Sequence, residues 1–268
     1  MPETAAHEAI FTSDSLIFAF LSTIGETPET VYTRQAIRDS KATVYCVGEA
    51  DDFSAAVVQW HVQPKEPMGF GTSGTDLWAT LQQVSGWEVI NVPLTMADDL
   101  AKTMTADDTN IDSVRRYGDI YYTLTRPAIA PAFDDSDIDI RLLTVDDAEM
   151  MHRAPRELQR ANGFVRIEDA LRQNSIACGI VDNEIVAISQ TVGKSETMIE
   201  VGVHTAEAYR GKGISTQASY LVCQQIQAQG KLPVWSTGED NWASQKVAQK
   251  IGFEEVSRRV YLIPQRPA

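Results

Sequence analysis

Cysteine is scarce in this 268-residue chain: Cys46, Cys178 and Cys223 lie far apart, odd in number and without C-x-x-C spacing. Such a set excludes a disulfide framework and a cysteine-based metal knuckle, and it predicts reduced, buried thiols in a cytoplasmic protein. The four histidines, His7, His61, His152 and His204, share no ligand spacing, so no metal is expected. No apolar run approaches the length that spans a bilayer, and residues 1–10 are acidic where a secretory leader is basic and then apolar. Positive charge is in short supply too, 23 Lys+Arg against 37 Asp+Glu, for a net charge of -14. Most of the deficit lies in residues 1–133, with 8 basic against 18 acidic side chains, whereas residues 134–268 hold 15 against 19. An acidic surface repels nucleic acid and anionic lipid, so neither is expected as a partner. It keeps a chain soluble, and it attracts a cationic substrate. G-x-x-x-x-G-K-[ST] and G-x-S-x-G are both missing, which removes the footholds of P-loop NTPase and serine-hydrolase chemistry.

What is present centres on Tyr209-Arg210-Gly211-Lys212-Gly213-Ile214-Ser215, set between an apolar strand-like segment and a long amphipathic helix. Glycine lets the backbone turn sharply with its N–H groups exposed, and the first N–H groups of a helix have no intrahelical partner. With the helix dipole they form a seat for an anion such as a pyrophosphate, to which Arg210 and Lys212 add charge-assisted contacts. A plain strand-to-helix loop with two solvated cations is the competing reading. Upstream, residues 198–205 predict a strand in which Gly202 marks a bulge or a close approach. Downstream, Ile214, Ala218, Leu221, Val222 and Ile226 share one helical face up to Gly230. A strand over 232–237, a helix from Asn241 to Ile251-Gly252-Phe253 and a strand over 256–263 complete the pattern.

Taken in order, these two signatures resemble the GNAT superfamily of N-acetyltransferases. Arg210 to Ser215 meets Q/R-x-x-G-x-G/A with Ser215 at the last small position, and Asn241 opens a helix closed by Gly252-Phe253, as in the family's later signature. The resemblance covers residues 138 to 263. It implies an α+β fold: a GNAT-like mixed, mostly antiparallel sheet flanked by helices, in the order β-α-α-β-β-β-α-β-α-β. It implies acetyl-CoA as co-substrate, its pyrophosphate on Arg210, Gly211, Lys212, Gly213, Ile214, Ser215 and Thr216, with Val203 and Thr205 beside the pantetheine and Asn241 and Ser244 close by. The implied reaction is direct attack by a primary amine, on a small molecule or a peptide.

An amine must lose a proton before it attacks, and Glu200 is the first candidate base, His204 the second. Period two places Glu200, Gly202 and His204 on one strand face, and a carboxylate in an apolar strand is expected to hold its proton more tightly than usual. A salt-bridged glutamate and a satisfied strand-end histidine are the competing readings. Glu239 and Asp240 read equally as cleft residues and as helix N-terminal acids. The chain departs from the resemblance at Ala248, where many members carry a tyrosine acid; that leaves Ser244 or water as proton donor. A catalytically inactive, CoA-binding regulatory or partner-binding module is the alternative function.

The run 126–137, with Pro127, Pro131, Asp134 and Asp135, reads as a linker and divides the chain into domains 1–133 and 134–268. In the first, strands are predicted over 42–48, 55–60, 87–92 and 119–124 and helices over 75–84 and 96–104. This describes a second, smaller α+β lobe, which resembles a degenerate GNAT-like copy as in tandem members of the superfamily; it lacks R-x-x-G-x-G, so no cofactor is expected there. Gly69-Phe70-Gly71-Thr72-Ser73-Gly74 meets G-x-G-x-x-G, but Pro64 and Pro67 precede it and no acid ends the next strand, so a flexible glycine loop is expected there.

Overall fold

The structure is a computed structural model in which residues 7–9, 14–159 and 166–266 are described, 7–9 by backbone alone. Most of the segment read for leader character lies outside them. Two compact units make up the chain: Met1–Ile120 with Ser257–Ala268, and Tyr121–Val256.

In the first unit the order is β1 (His7–Ala9), α1 (Asp14–Ile24), α2 (Val31–Arg38), β2 (Ala42–Glu49), β3 (Asp52–Trp60), β4 (Met68–Gly71), α3 (Gly74–Leu81), β5 (Ile90–Pro93), α4 (Leu94–Asp107) and β6 (Ser113–Thr123), whose last residues pass into the second unit. Strands β1 to β5 pair in sequence, antiparallel except for the parallel pair β4 and β5, which α3 connects. Helix α2 has no clear apolar stripe in the sequence because a core position is held by Arg34. That side chain is buried and donates to the carbonyls of Leu21 (2.5 Å) and Gly25 (2.9 Å). The expected glycine loop is instead a strand, a turn and a helix start. Met68–Gly71 is a buried strand, and only Thr72 and Ser73 separate it from α3. Four residues, two of them glycine, carry too little periodicity to be recognised as a strand.

The second unit continues with β7 (Asp139–Leu142), α5 (Ala148–Arg153), α6 (Arg156–Gln159), α7 (Ile167–Gln173), β8 (Ile176–Val181), β9 (Glu184–Lys194), β10 (Met198–Thr205), α8 (Ile214–Ala228), β11 (Leu232–Gly238), α9 (Trp242–Ile251) and the start of β12 (Glu254–Gln265). Its strand order is β11-β10-β9-β8-β7, antiparallel except for β10 and β11. Asp182 and Asn183, both at positive φ, make the two-residue turn of the β8–β9 hairpin. Ile214, Ala218, Val222, Cys223 and Ile226 of α8 are buried, with Ile214, Val222 and Ile226 contributing about 1.5–3 kcal/mol each. Leu221 falls beside this stripe rather than in it, and is half-buried. Helix α8 comes so close to β8 that a side chain on Gly179 would overlap Ile214, and Ser219 donates to Ser189 of β9 at 2.9 Å.

Beyond Val256 strand β12 belongs to the first unit. Arg259, Val260, Tyr261 and Leu262 pair antiparallel with Pro93, Val92, Asn91 and Ile90 of β5. Val260 and Leu262 enter the core formed by Leu77, Leu81, Leu100 and Met104. Arg259, only 5% exposed, donates to Asn91 Oδ1 (2.5 Å) and to the Gly69 (2.6 Å) and Asn91 (3.0 Å) carbonyls, and its guanidinium lies over the Phe70 ring. Asn91 in turn donates to Asp119 at 2.9 Å.

The three cysteines are free and buried; burial pushes the Cys223 thiol up to about 12 and those of Cys46 and Cys178 in the same direction. Among the described residues no helix is long and apolar enough to cross a membrane, and no group of three His, Cys, Asp or Glu is placed to hold a metal ion.

Candidate active site

The site begins where two parallel strands part. β10 and β11 pair at Met198–Leu232, Ile199–Pro233 and Glu200–Val234, and there the pairing ends although β10 runs on to Thr205 and β11 to Gly238. On its other edge β10 keeps antiparallel pairing with β9 through Thr205, with a bulge between Glu200 and Val201. The sequence offered a bulge or a close approach at Gly202, and the bulge lies one step earlier. The actual constraint at Gly202 is close packing, since a Cβ there would stand 2.6 Å from Val192 Cγ1.

A cavity of about 670 Å³ opens beside the diverging strands. Val203, His204 and Thr205 of β10 form one wall, and the turn from Tyr209 to Thr216 forms the second, with Arg210, Gly211, Gly213, Ile214 and Ser215 on its surface. Helix α9 supplies the third wall through Asn241, Ala243, Ser244, Lys246, Val247 and Lys250. Of the residues expected to hold a cofactor, all but Lys212 line this cavity. The Lys212 ammonium lies 5.2 Å from the centre of the Tyr209 ring. Glu200 is not on the wall. It is 4% exposed, at the apex of the strand opening, and Ser236 of β11 donates a hydrogen bond to its Oε1.

Local chemistry explains the turn. Gly211 and Gly213 have φ of +80° and +84°, left-handed conformations that only glycine adopts without strain. They leave the N–H groups of residues 211–216 without a hydrogen-bond partner among the described residues, and no side chain caps the start of α8. Arg210 Nε donates to the Thr205 carbonyl (3.3 Å) and the Thr205 and Ser215 hydroxyls are hydrogen-bonded, so the turn is tied to the end of β10. None of the described residues lining the cavity is acidic, while Arg210, Lys246 and Lys250 are basic. In a chain of net charge -14, this wall of orphan donors and cations fits a polyanion.

Helix α9 is built to present its face. Asn241 caps it by accepting from the Ser244 N–H (3.2 Å), and Gly252 ends it at φ +104°. Gln245, Ala248 and Ile251 point into the core, which leaves Ala243, Lys246, Val247 and Lys250 for the cavity. These four, with Tyr209, were missed in the sequence; the i, i+3, i+4, i+7 spacing opposite the buried stripe was the available signal. Trp235 of β11, fully buried, donates from Nε1 to Ser244 Oγ at 3.0 Å. Ala248 is buried and off the cavity wall. Glu239 and Asp240 are exposed in the turn before α9 and do not line the cavity.

The family model of the GNAT acetyltransferases matches residues 116–261. The chain belongs to the GNAT acetyltransferase family. No curated protein matches it. Among solved structures, a GCN5-related N-acetyltransferase-like protein from Streptococcus suis aligns with a TM-score of 0.65 at 17% identity over 94% of this chain and 99% of its own. A GCN5-related N-acetyltransferase from Sphaerobacter thermophilus aligns at 0.64 and 14% identity over 100% and 98%. A tandem GNAT protein from the clavulanic acid biosynthesis pathway, solved without AcCoA, aligns at 0.60 and 12% identity over 98% and 99%. At these identities the likeness is one of fold. It extends over both units: the first repeats the GNAT order of the second, each with a parallel strand pair joined through one helix. The family is one of acyl transfer, and the open turn before α8 is where its signature falls.

Proposed function

We propose that this protein is an acetyl-CoA-dependent N-acetyltransferase acting on a primary amine of a small molecule or peptide. The observation that carries the reading is the set of unpartnered N–H groups at residues 211–216, facing a cavity without acidic lining. Those donors, with Arg210, would hold the pyrophosphate of acetyl-CoA. The bound group supplies an acyl thioester.

This chain's own residues then have three tasks. The end of β10 at Val203 and Thr205, where pairing with β11 has ceased, offers an edge along which the pantetheine extends. Glu200, with His204 as second candidate, takes the proton of the incoming amine directly or through water, and Ser236, by donating to Glu200 Oε1, holds the carboxylate in place. Ser244 Oγ accepts from Trp235 Nε1, so its own proton is directed away from the indole and can be donated to a leaving thiolate. Ala248 leaves no tyrosine at the position used by many relatives, which makes Ser244 the nearest hydroxyl on α9.

The test is calorimetric titration of the full chain with acetyl-CoA, followed by an amine panel read by thiol release. Binding with turnover of at least one amine supports the enzyme. Binding with no turnover on any amine favours the regulatory CoA-binding module, and no binding removes both.

A further inference from the structure

The cationic side chains on α9 stand on a different wall of the cavity from the turn before α8. We infer that Lys246 and Lys250 form a second anion site that takes the ribose 3′-phosphate of CoA, so that the protein distinguishes CoA from 3′-dephospho-CoA; this rests on the acyl-CoA reading of the cavity above. Both lysines line the cavity, one helical turn apart on the same face, with Val247 between them. Like charges at this spacing disfavour a helix slightly. Neither lysine has an ion-pair partner among the described residues, whereas Arg141, Arg153, Arg166 and Arg172 of the same unit each meet a carboxylate. A dianionic phosphate between two ammonium groups supplies the counter-charge that no carboxylate among the described residues provides.

Position along the helix separates this site from the pyrophosphate seat. Ser244, hydrogen-bonded to Trp235, marks the end of α9 nearest the strand opening, and Lys250 stands six residues further, roughly 9 Å along the axis. The orphan N–H groups lie on the facing wall, at the start of α8. CoA carries its third phosphate at the end remote from the thioester, which matches a second basic cluster displaced from the reacting end.

The experiment compares CoA with 3′-dephospho-CoA by calorimetry on the full chain, its Lys246→Gln/Lys250→Gln variant and a Lys246→Arg/Lys250→Arg variant. The unmodified protein is expected to bind CoA roughly tenfold more tightly than 3′-dephospho-CoA. The glutamine variant should lose most of that difference by weakening CoA alone, and the arginine variant should keep it. Equal affinity of the unmodified protein for both ligands overturns the inference and leaves the acyl-CoA reading standing, as does a glutamine variant that weakens both alike. Failure of the unmodified protein to bind either overturns the acyl-CoA reading itself, and the inference with it. Both lysines are exposed, and circular dichroism of each variant confirms the fold.

Discussion

Glu200 combines two properties that a solvated strand-end glutamate lacks: 4% exposure and a hydroxyl donor, Ser236, on the neighbouring strand just past the last paired residues. If it accepts the amine's proton, Glu200→Gln should lower kcat by about 10² to 10⁴ and leave acetyl-CoA affinity nearly unchanged. Activity should recover partly at high pH, where the amine is already neutral. A lowered melting temperature with an unaltered pH–rate profile would assign Glu200 a structural role. Asp147 offers a test of a different kind. Arg141 holds it through a two-pronged contact (2.6 and 2.9 Å) and the Thr144 N–H donates to it (2.8 Å), which lowers its carboxyl to about 2 from the ordinary 3.8. A depressed folded value contributes stability that is complete above the ordinary carboxylate range and is lost as pH falls from about 4 towards about 2. Because the Arg141 side chain is 41% exposed, its contribution is discounted to the order of 1 kcal/mol. Asp147→Asn should therefore lower the melting temperature at pH 7 by roughly 2–4 °C, and the gap should close on acidification towards pH 2.

In the proposed acetyl-CoA reading, binding falls to the turn between a parallel strand and the helix that follows it, and the described residues contain two such turns. Before α8 the N–H groups of residues 211–216 are open. Before α3 the equivalent donors are consumed within the protein. Thr72 and Ser73 donate to the Ser54 carbonyl (2.9 and 3.3 Å), Gly74 to Asp99 Oδ2 (3.0 Å) and Asp76 to Ser73 Oγ (3.1 Å). Asp99 stands so close that a side chain on Gly74 would overlap it, and its carboxylate and that of Asp76 repel an anion. Titration of the full chain with acetyl-CoA should accordingly give about one site per chain, set by the α8 turn. A stoichiometry of two would show that the α3 turn opens.

At the scale of the whole molecule, the two units differ in how far they were readable. In the second, long regular signals led directly to the structure: 198–205 and 232–237 fall in strands as expected, and Asn241 and Gly252 cap α9. In the first, α1, α2 and β4 were not foreseen, because a buried arginine interrupts one helix and β4 is four residues long. Chain order also hid the fate of β12. Its residues from Ser257 onward join the first unit, held by Arg259 on Asn91 and Gly69, partners more than 160 positions away in sequence. A fragment beginning at the linker would strip that strand of its partners, which is why the full chain is the proper test object. By itself the sequence determined the local pieces whose cause is local: glycines at positive φ, an asparagine cap, apolar periodicity. Tertiary structure alone decided that β10 and β11 part after Glu200, that Ser236 reaches Glu200, that Trp235 reaches Ser244, and that Lys246 and Lys250 face the same cavity as Arg210. Those are meetings of residues distant along the chain, and no periodicity encodes which neighbour a side chain will find once the strands separate.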